Sequence, residues 1–372
     1  MVGDRMRLLP DQDQRDLAAM CRSLLGGLQS PSSDSITPTL WEALSGAGVL
    51  GLAVEEEFGG SGGALTDLGV FYVEAGRALC PTLVHSTLLA ALAVDWLGGP
   101  EARAAWLPAL ASGTLRATTA LWNPRDAVVR TALRATTHAD GAWRVSGVAD
   151  FVSDADSADL IVVAAETGSA SRGFVIDLET APGITVEPLT MMGGHRACTV
   201  AFDDVPLDDP RRILGGTDGL DGQDLRRVAN AATALLCLDL VGVGEAVLQR
   251  SVEHTKMREQ FGRPIASFQA AQHLVANMHI ALSAARLAAH SAVFWIGRGH
   301  TASRETAVAR MHAATIKQIT LDAHQLHGGM GYVVDTDLHL FSERARVLST
   351  LGGGADVAAT WLDAETDWER GQ

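Results

Sequence analysis

The residues with the clearest capacity for chemistry are an arginine and an aromatic residue three positions apart. Arg258 and Phe261 belong to the run REQFGRP, and Gln269 follows it. A guanidinium group pairs with phosphate oxygens in a fixed fork, so Arg258 is a candidate phosphate ligand. The structural alternatives are an exposed helix-end charge for Arg258 and a core position for Phe261, and the sequence leaves both open.

A glycine-rich run forms a second candidate site. Gly328 and Gly329 begin the sequence GGMG, and glycine allows a backbone to approach a ligand closely. A dinucleotide-binding loop follows a strand and opens a helix, whereas this run follows a predicted long helix. On residue chemistry alone, a turn that ends the helix is therefore the simpler interpretation.

A carboxylate inside an apolar segment is the third candidate. Asp239 lies in the run LLCLDLV, which extends from Leu235 to Val241. An unpaired carboxylate is costly to bury, so Asp239 is expected either to be functional or to pair with a basic side chain. Both interpretations stay open. The twelve histidines include no HExxH pattern, and His324 and His327 lack an evident third ligand, so no metal site is predicted.

The chain has three zones with different residue patterns, and the structures of these zones must position the candidate residues. Residues 1–118 are predicted to be mostly helical, residues 119–215 are rich in Val and Thr with period-two alternation, and residues 216–372 are helical again. The dipeptide Asp140-Gly141 predicts a hairpin in the middle zone. The expected fold class is α+β, with an N-terminal helical domain, a middle β domain and a C-terminal helical bundle.

In the last zone, Ser303 is a plausible N-cap for a helix that reaches about Leu326. Asp335 and Asp337 precede a further helix at Leu338, where a carboxylate favours a helix N-terminus.

Composition excludes some classes of function. The net charge of −15 (29 basic minus 44 acidic residues) argues against nucleic-acid binding, which needs a basic face. The polar N-terminus has no signal-peptide pattern, and no apolar run reaches the roughly 18 residues that span a bilayer, so no membrane role is expected. Scattered cysteines without a CxxC pair fit a reducing cytoplasm. They are Cys21, Cys80, Cys198 and Cys237.

Four motifs in chain order resemble those of the acyl-CoA dehydrogenase family. The strongest is Arg258 to Gln269, which is similar to the family run R-x-x-F-G-x-x-x-x-x-x-Q. The others are the loop from Phe58 to Gly63, the strand exit from Val200 to Pro206, and the run from Gln325 to Tyr332. The resemblance implies a middle β-barrel or sandwich domain, a C-terminal four-helix bundle, and assembly as a dimer or tetramer.

The resemblance also implies FAD held without a Rossmann loop. In the family, residues matching Arg258 and Phe261 reach the pyrophosphate and adenosine of a neighbouring subunit's flavin. The expected contacts at this end are Arg258, Phe261, Gln269, Gln325, Gly328 and Gly329. The family reaction is α,β-dehydrogenation of an acyl-CoA thioester, in which a carboxylate removes the α-proton and the flavin takes the β-hydride.

The chain departs from the family at the catalytic base. The position in the C-terminal run that carries the family glutamate matches Gly352, and a second family location matches Ala232. Asp239 is the remaining candidate base, because it follows Ala232 by about two helical turns and so lies near the same face.

The middle zone also departs from the family pattern. The family loop that contacts flavin and substrate reads LWNPRD here. Its Trp122 is either a buried core residue or a ring that faces a planar cofactor. The run that flanks the flavin ring reads FVSD, in which Phe151 can still pack on the ring and Ser153 can still offer a hydroxyl.

Three hypotheses follow. In the first, the chain is an active acyl-CoA dehydrogenase of lipid or steroid side-chain catabolism, with Asp239 as its base. In the second, it is a non-catalytic subunit that completes the FAD site of a homologous catalytic partner, so the assembly is a hetero-oligomer rather than a homo-oligomer. In the third, it is a flavin oxidase or monooxygenase on the same fold.

Overall fold

The computed structural model describes residues 10–26, 36–138, 141–168 and 170–370. In these ranges the helices are α1 (Gln12–Gly26), α2 (Pro38–Gly46), α3 (Leu65–Ala78), α4 (Thr82–Leu97), α5 (Pro100–Ala111), α6 (Gly222–Met257), α7 (Gln269–Gly297), α8 (Ser303–Ala313), α9 (Ile316–His327), α10 (Leu338–Leu348) and α11 (Ala355–Arg370). The strands are β1 (Ala117–Ala120), β2 (Arg134–Thr137), β3 (Trp143–Ser153), β4 (Leu160–Glu166), β5 (Ser171–Asp177), β6 (Ile184–Leu189), β7 (Ala197–Leu207), β8 (Ile213–Leu214), β9 (Glu259–Gln260) and β10 (Arg263–Pro264). The predicted α+β class, with helical ends and a sheet between them, is confirmed.

The chain forms two compact units. In the parts that the structure describes, the first comprises Met1–Ser32, Gly69–Cys80 and Thr233–Gln372. The second comprises Ser33–Leu68 and Pro81–Ala232. The division into domains 1–118, 119–215 and 216–372 stays a prediction.

In the first unit, α3 and α6 approach each other closely at two glycines. A Cβ at Gly76 would lie 2.0 Å from the carbonyl oxygen of Asp239, and one at Gly242 would lie 2.0 Å from that of Val73. No larger residue fits at either position, so the two helix backbones are in direct contact. This contact fixes the backbone that carries Asp239.

The second unit is built on one sheet with the strand order β6-β7-β3-β2-β4-β5-β8, in which β1 pairs with β4 in parallel. Successive side chains of a strand point to opposite faces. In β4, Ile161 and Val163 therefore join one hydrophobic cluster, and Leu160 and Val162 join the other, which includes α4 and α5. Burial on both faces explains why β4 is apolar without alternation.

The predicted hairpin is confirmed. Thr137 pairs with Trp143 in the antiparallel β2–β3 ladder, and Gly141 has a φ of 83°. Asp140, the first residue of the turn signal, lies outside the described residues.

The sequence predicted one continuous helix from Ser303 to about Leu326, and this prediction is wrong. It divides into α8 and α9, because the N–H and the hydroxyl of Thr315 both donate to the carbonyl oxygen of His312 and form a turn.

Both predicted caps in this region are also wrong. Ser303 is the first residue of α8 rather than its N-cap, which is Ala302 with a φ of 50°. The helix α10 begins at Leu338 as predicted, but Asp337 has a φ of 53° and its carboxylate makes no capping hydrogen bond. In each case the left-handed backbone of the capping residue, rather than a side-chain bond, sets the helix start.

Two helices, α6 and α7, are long and apolar enough to cross a membrane by length and composition alone. The core helix of a soluble protein passes the same test, and 78% of the most apolar window of α6 is buried within the protein. The corresponding figure for α7 is 33%.

Candidate cofactor and catalytic site

An exposed hairpin follows α6 and carries the arginine and aromatic residue of the first motif. The N–H of Arg258 donates to the carbonyl oxygen of His254 at 2.8 Å and so continues the last turn of α6. Ile265 donates to the carbonyl oxygen of Arg258 at 2.9 Å and closes the base of the β9–β10 hairpin. Phe261 lies at the hairpin tip with a φ of 56°, and 92% of its surface is exposed. The core interpretation of Phe261 is therefore wrong.

Arg258 fits a role as an anion ligand. Its side chain is exposed, and among the described residues no carboxylate forms an ion pair with it. Gln269, which begins α7, is exposed as well. A charged group and an aromatic ring that their own chain leaves uncovered are available to a cofactor or a partner subunit.

The glycine run follows α9. The fold requires two of its glycines, Gly328 and Gly331, but not the third, Gly329. Gly328 has a φ of 58° and donates to the carbonyl oxygen of Gln325, which is the expected helix-ending turn. A Cβ at Gly331 would lie 3.0 Å from the carbonyl oxygen of His324, so packing explains that glycine. A Cβ at Gly329 would meet nothing within 4 Å, and Gly329 has no positive φ. The fold of the chain does not require glycine there, whereas the close approach of a ligand would.

The structure brings these two motifs together. The rings of His254, one helical turn before Arg258, and His327, which directly precedes Gly328, stack with centroids 4.2 Å apart and an interplanar angle of 24°. Arg258 and the Gly328-Gly329 turn therefore lie at the same end of the first unit. A guanidinium and an open backbone turn can both bind a pyrophosphate group, and this end supplies both.

His324, in contrast, is a structural histidine. Its Nδ1 lies 2.7 Å from the carbonyl oxygen of Gly331, and its Nε2 lies 2.7 Å from the hydroxyl of Ser342. Both ring nitrogens are engaged within the protein. Across the described ranges, no group of three or more His, Cys, Asp or Glu side chains is placed to hold a metal ion.

Asp239 is fully buried and paired with an arginine. The Nε of Arg344 donates to Oδ1 at 2.9 Å, and one terminal nitrogen donates to Oδ2 at 2.6 Å. The other terminal nitrogen donates to the carbonyl oxygen of Cys80 at 2.8 Å. Of the two interpretations that the sequence left open, pairing with a basic partner is the one observed. Both carboxylate oxygens are occupied by one guanidinium fork.

The turn at Gly352 is held by a second buried arginine. Gly352 has a φ of 70° and Gly353 a φ of 110°, conformations that residues with a Cβ rarely adopt. Arg310 is fully buried, and its guanidinium donates to the carbonyl oxygens of Gly353, Leu348 and Leu351. Burial lowers the pKa of Arg310. The position that matches the family glutamate is thus part of a turn built around a cation.

In the second unit, a β-bulge presents Phe151. The β3–β7 register shifts between Ala149 and Val152, and Phe151 in this bulge has a φ of 54°. Bulges re-aim side chains and are common next to active sites. Ser153 follows, with its hydroxyl 3.4 Å from Nε2 of His195. Trp122 is partly buried and packs on the hydrophobic cluster that includes residues of α4 and α5. Much of its ring is therefore a core contact, as one of the two interpretations predicted.

Asp154 is a buried carboxylate next to Ser153 that the sequence did not single out. It is 1% exposed, and it accepts hydrogen bonds from the hydroxyls of Thr82 at 2.9 Å and Ser86 at 2.7 Å. Burial raises its pKa to about 6, although these two hydrogen bonds lower it. Its bonds to α4 fix the end of β3 that carries Ser153. The available signal was its place as the last residue of the FVSD run.

The matches to known proteins assign the chain to a class of flavoprotein oxidoreductases. The family model described as "Acyl-CoA dehydrogenase, N-terminal domain" matches residues 12–114, and "Acyl-CoA dehydrogenase, C-terminal domain" matches residues 225–364. The acyl-CoA dehydrogenase IpdE2 of Mycobacterium tuberculosis is 30% identical over 337 residues, which are 89% of this chain and 87% of that protein. The chain belongs to the acyl-CoA dehydrogenase family, whose members depend on FAD.

Two solved structures of paired chains are similar to this one. The Tcur3481–Tcur3483 steroid ACAD variant has a TM-score of 0.87 at 28% identity, covering 97% of this chain and 99% of that one. The ChsE4–ChsE5 complex from Mycobacterium tuberculosis has a TM-score of 0.88 at 26% identity, with the same coverage. Butyryl-CoA dehydrogenase from Megasphaera elsdenii, at 21% identity and a TM-score of 0.88, supports the fold.

Proposed function

We propose that this chain is the subunit without the catalytic base in an FAD-dependent acyl-CoA dehydrogenase that it forms with a homologous chain. The observation that carries the proposal is the buried pair of Asp239 and Arg344, in which one guanidinium occupies both carboxylate oxygens. A base needs a lone pair free to reach the substrate α-carbon. Ala232 and Gly352, the two positions that match the family's locations for the base, have no carboxylate.

The proposed assembly divides the work between two chains. The partner supplies the carboxylate that removes the α-proton of the acyl-CoA thioester, and bound FAD supplies the acceptor for the β-hydride. Arg258 would hold the cofactor pyrophosphate, and Phe261, Gln269 and Gln325 would hold its adenosine end. Gly329 leaves room for the close approach of the phosphates.

In the second unit, Phe151 and Trp122 would hold the flavin ring, and the Ser153 hydroxyl would be available to donate a hydrogen bond to it.

Relatives support the heteromeric arrangement and the substrate class. Two similar structures are named as pairs of chains, and one of them is named a steroid acyl-CoA dehydrogenase. We propose an acyl-CoA from lipid or steroid side-chain breakdown as substrate, and a cytoplasmic location. The alternative is an active homo-oligomer with Asp239 as base, and it makes the opposite prediction for the isolated chain.

The test compares the chain alone with the chain co-expressed with a homologous acyl-CoA dehydrogenase subunit. Native mass spectrometry gives the chains and FAD per assembly, and absorbance at the flavin band follows reduction by an acyl-CoA. We expect flavin and its reduction only in the mixed assembly. A lone chain that holds FAD, reduces it with an acyl-CoA, and loses that reduction but not its FAD in Asp239→Asn would overturn the proposal.

A matched pair of variants tests the phosphate contact. Arg258→Met should lower the FAD content of the mixed assembly. Arg304→Met, at an exposed arginine of α8, should leave it unchanged. Equal FAD content in both variants would remove Arg258 from the cofactor site.

A further inference from the structure

The stacked rings of His254 and His327 join two family motifs: His254 precedes the run from Arg258 to Gln269, and His327 lies within the run from Gln325 to Tyr332, at a position that the family pattern leaves open. His254 is on α6 one turn before Arg258, and residues four apart on a helix lie on the same face. His327 is the last residue of α9, directly before Gly328. Its Nδ1 lies 2.8 Å from the carbonyl oxygen of Ala323, so Nδ1 carries a hydrogen and Nε2 is the basic nitrogen. Both rings are partly exposed.

The surroundings of the pair favour an anion. Arg250 of α6, Arg258 directly after α6, and His324 of α9 are charged or titratable groups that act on the two rings. None of these groups is acidic. In the described ranges no carboxylate forms an ion pair with either ring or with either arginine, although Arg250 donates to the carbonyl oxygen of Thr336, which Asp335 and Asp337 flank. The cluster therefore holds positive charge that the chain does not neutralise.

Without an anion, the surroundings lower the pKa of both rings and so favour their neutral form. Burial lowers the pKa of His254, and the neighbouring His327 and Arg258 lower it further. Burial also lowers the pKa of His327, and the nearby His324 and Arg250 lower it further. The hydrogen bond to the carbonyl oxygen of Ala323 raises this pKa, but by less. An anion placed beside Arg258 reverses the sign of the local field, because it stabilises an imidazolium.

We infer that His254 and His327 form, with Arg258, a diphosphate-binding subsite that takes up a proton when the diphosphate binds. The identity of the diphosphate as that of FAD rests on the proposed function. Two charged rings 4.2 Å apart repel each other, so the pair takes up one proton rather than two. The bound state then carries an imidazolium that donates a charge-assisted hydrogen bond to a phosphate oxygen.

Proton uptake makes affinity depend on pH. Between the pKa of the free pair and that of the complex, uptake of one proton changes the dissociation constant by up to about tenfold per pH unit, with tighter binding at lower pH. Below the pKa of the free pair the ring is already charged, and above that of the complex it stays neutral. The dependence on pH vanishes in both of these limits.

The test uses ADP-ribose, whose diphosphate diester keeps the same charge between pH 5 and 8. The full chain, labelled with carbon-13 in its histidine rings, is titrated with and without ADP-ribose and followed by nuclear magnetic resonance. His254→Gln and His327→Gln assign the two signals. We expect both rings to titrate below the ordinary pKa in the free chain, and ADP-ribose to raise the pKa of at least one ring.

The matched control is His312→Gln, an exposed histidine of α8 outside the cluster. It should keep the full pH dependence of ADP-ribose affinity, whereas His254→Gln and His327→Gln should weaken binding at pH 6 more than at pH 8. Ring titrations that ADP-ribose leaves unchanged, or equal pH dependence in all three variants, would refute the subsite. ADP-ribose binding with proton uptake in a chain that holds FAD in no assembly would refute the proposed function and leave the subsite standing.

Discussion

The pairing of Asp239 with Arg344 predicts that Asp239→Asn is a stability variant before it is a catalytic one. The substitution keeps the shape of the side chain and removes its charge. Arg344 is only 12% exposed, so its guanidinium would lose its counter-charge in a buried setting. Removing one partner of a buried ion pair costs about 3–5 kcal/mol. The value should lie near the lower end, at about 3 kcal/mol, because Arg344 keeps its hydrogen bond to Cys80 and the asparagine oxygen still accepts one more.

A double-mutant cycle measures this value. Urea unfolding of the wild-type chain, Asp239→Asn, Arg344→Met and the double variant, followed by tryptophan fluorescence, gives four free energies of unfolding. Each single variant leaves one group unpaired, whereas the double variant leaves no uncompensated charge. The double variant should therefore be less destabilised than the sum of the two singles by at least about 1 kcal/mol. Asp208→Asn, at an exposed aspartate, is the control and should stay within about 0.5 kcal/mol of wild type.

One result would refute the reasoning. If Asp239→Asn unfolds at the wild-type urea concentration and the single effects simply add, the pair contributes nothing to stability and Asp239 is free for another role. Loss of flavin reduction in that same variant would then assign the role of base to Asp239.

Three further predictions follow from the buried charges and the open glycine. Arg310→Met leaves three carbonyl oxygens without a buried donor and should lower the free energy of unfolding by about 3 kcal/mol or more, measured by urea unfolding; a loss below about 1 kcal/mol would contradict this. The pKa of Asp154 is raised to about 6 from 3.8, so its stabilising contribution is complete below pH 3.8 and is lost as the pH rises through 6. The stability of Asp154→Asn relative to wild type should therefore improve between pH 4 and pH 7, and a difference that is the same at every pH would contradict it. Gly329→Ala should unfold like wild type but lower the FAD affinity of the mixed assembly by about tenfold, or ~1.4 kcal/mol, whereas Gly331→Ala should destabilise the chain itself.

Much of the fold could be predicted from the sequence, because the periodicity of a helix or a strand depends on residues that are close together in the chain. The period-two alternation in residues 119–215 indicated a sheet, and the structure places strands β2 to β8 there, with helices in the zones on either side. The errors occurred where a single hydrogen bond or backbone angle decides the outcome. The hydroxyl of Thr315 breaks a helix whose side-chain pattern continues through it.

The candidate site was harder to predict, because its chemistry depends on contacts between residues far apart in the chain. The sequence offered Asp239 as a base or as half of an ion pair, and the answer lay with Arg344 on another helix. Likewise, the sequence offered His327 only as a possible metal ligand, and His254 had no signal beyond its place four residues before Arg258. A stack between two helices cannot be read from the spacing within either one.

The two ends of the candidate site differ in how their polar groups are satisfied, and this difference supports the proposed division of labour. At the end where the family places its base, the polar groups are satisfied internally: Arg344 holds Asp239, and Arg310 holds the turn at Gly352. At the phosphate end, Arg258 is exposed without a counter-charge and Phe261 is uncovered. Buried groups with all partners in place stabilise the fold, whereas exposed groups with none are available to bind. A chain that keeps its binding groups open and its buried carboxylate paired is suited to complete a cofactor site whose proton transfer is performed by another subunit.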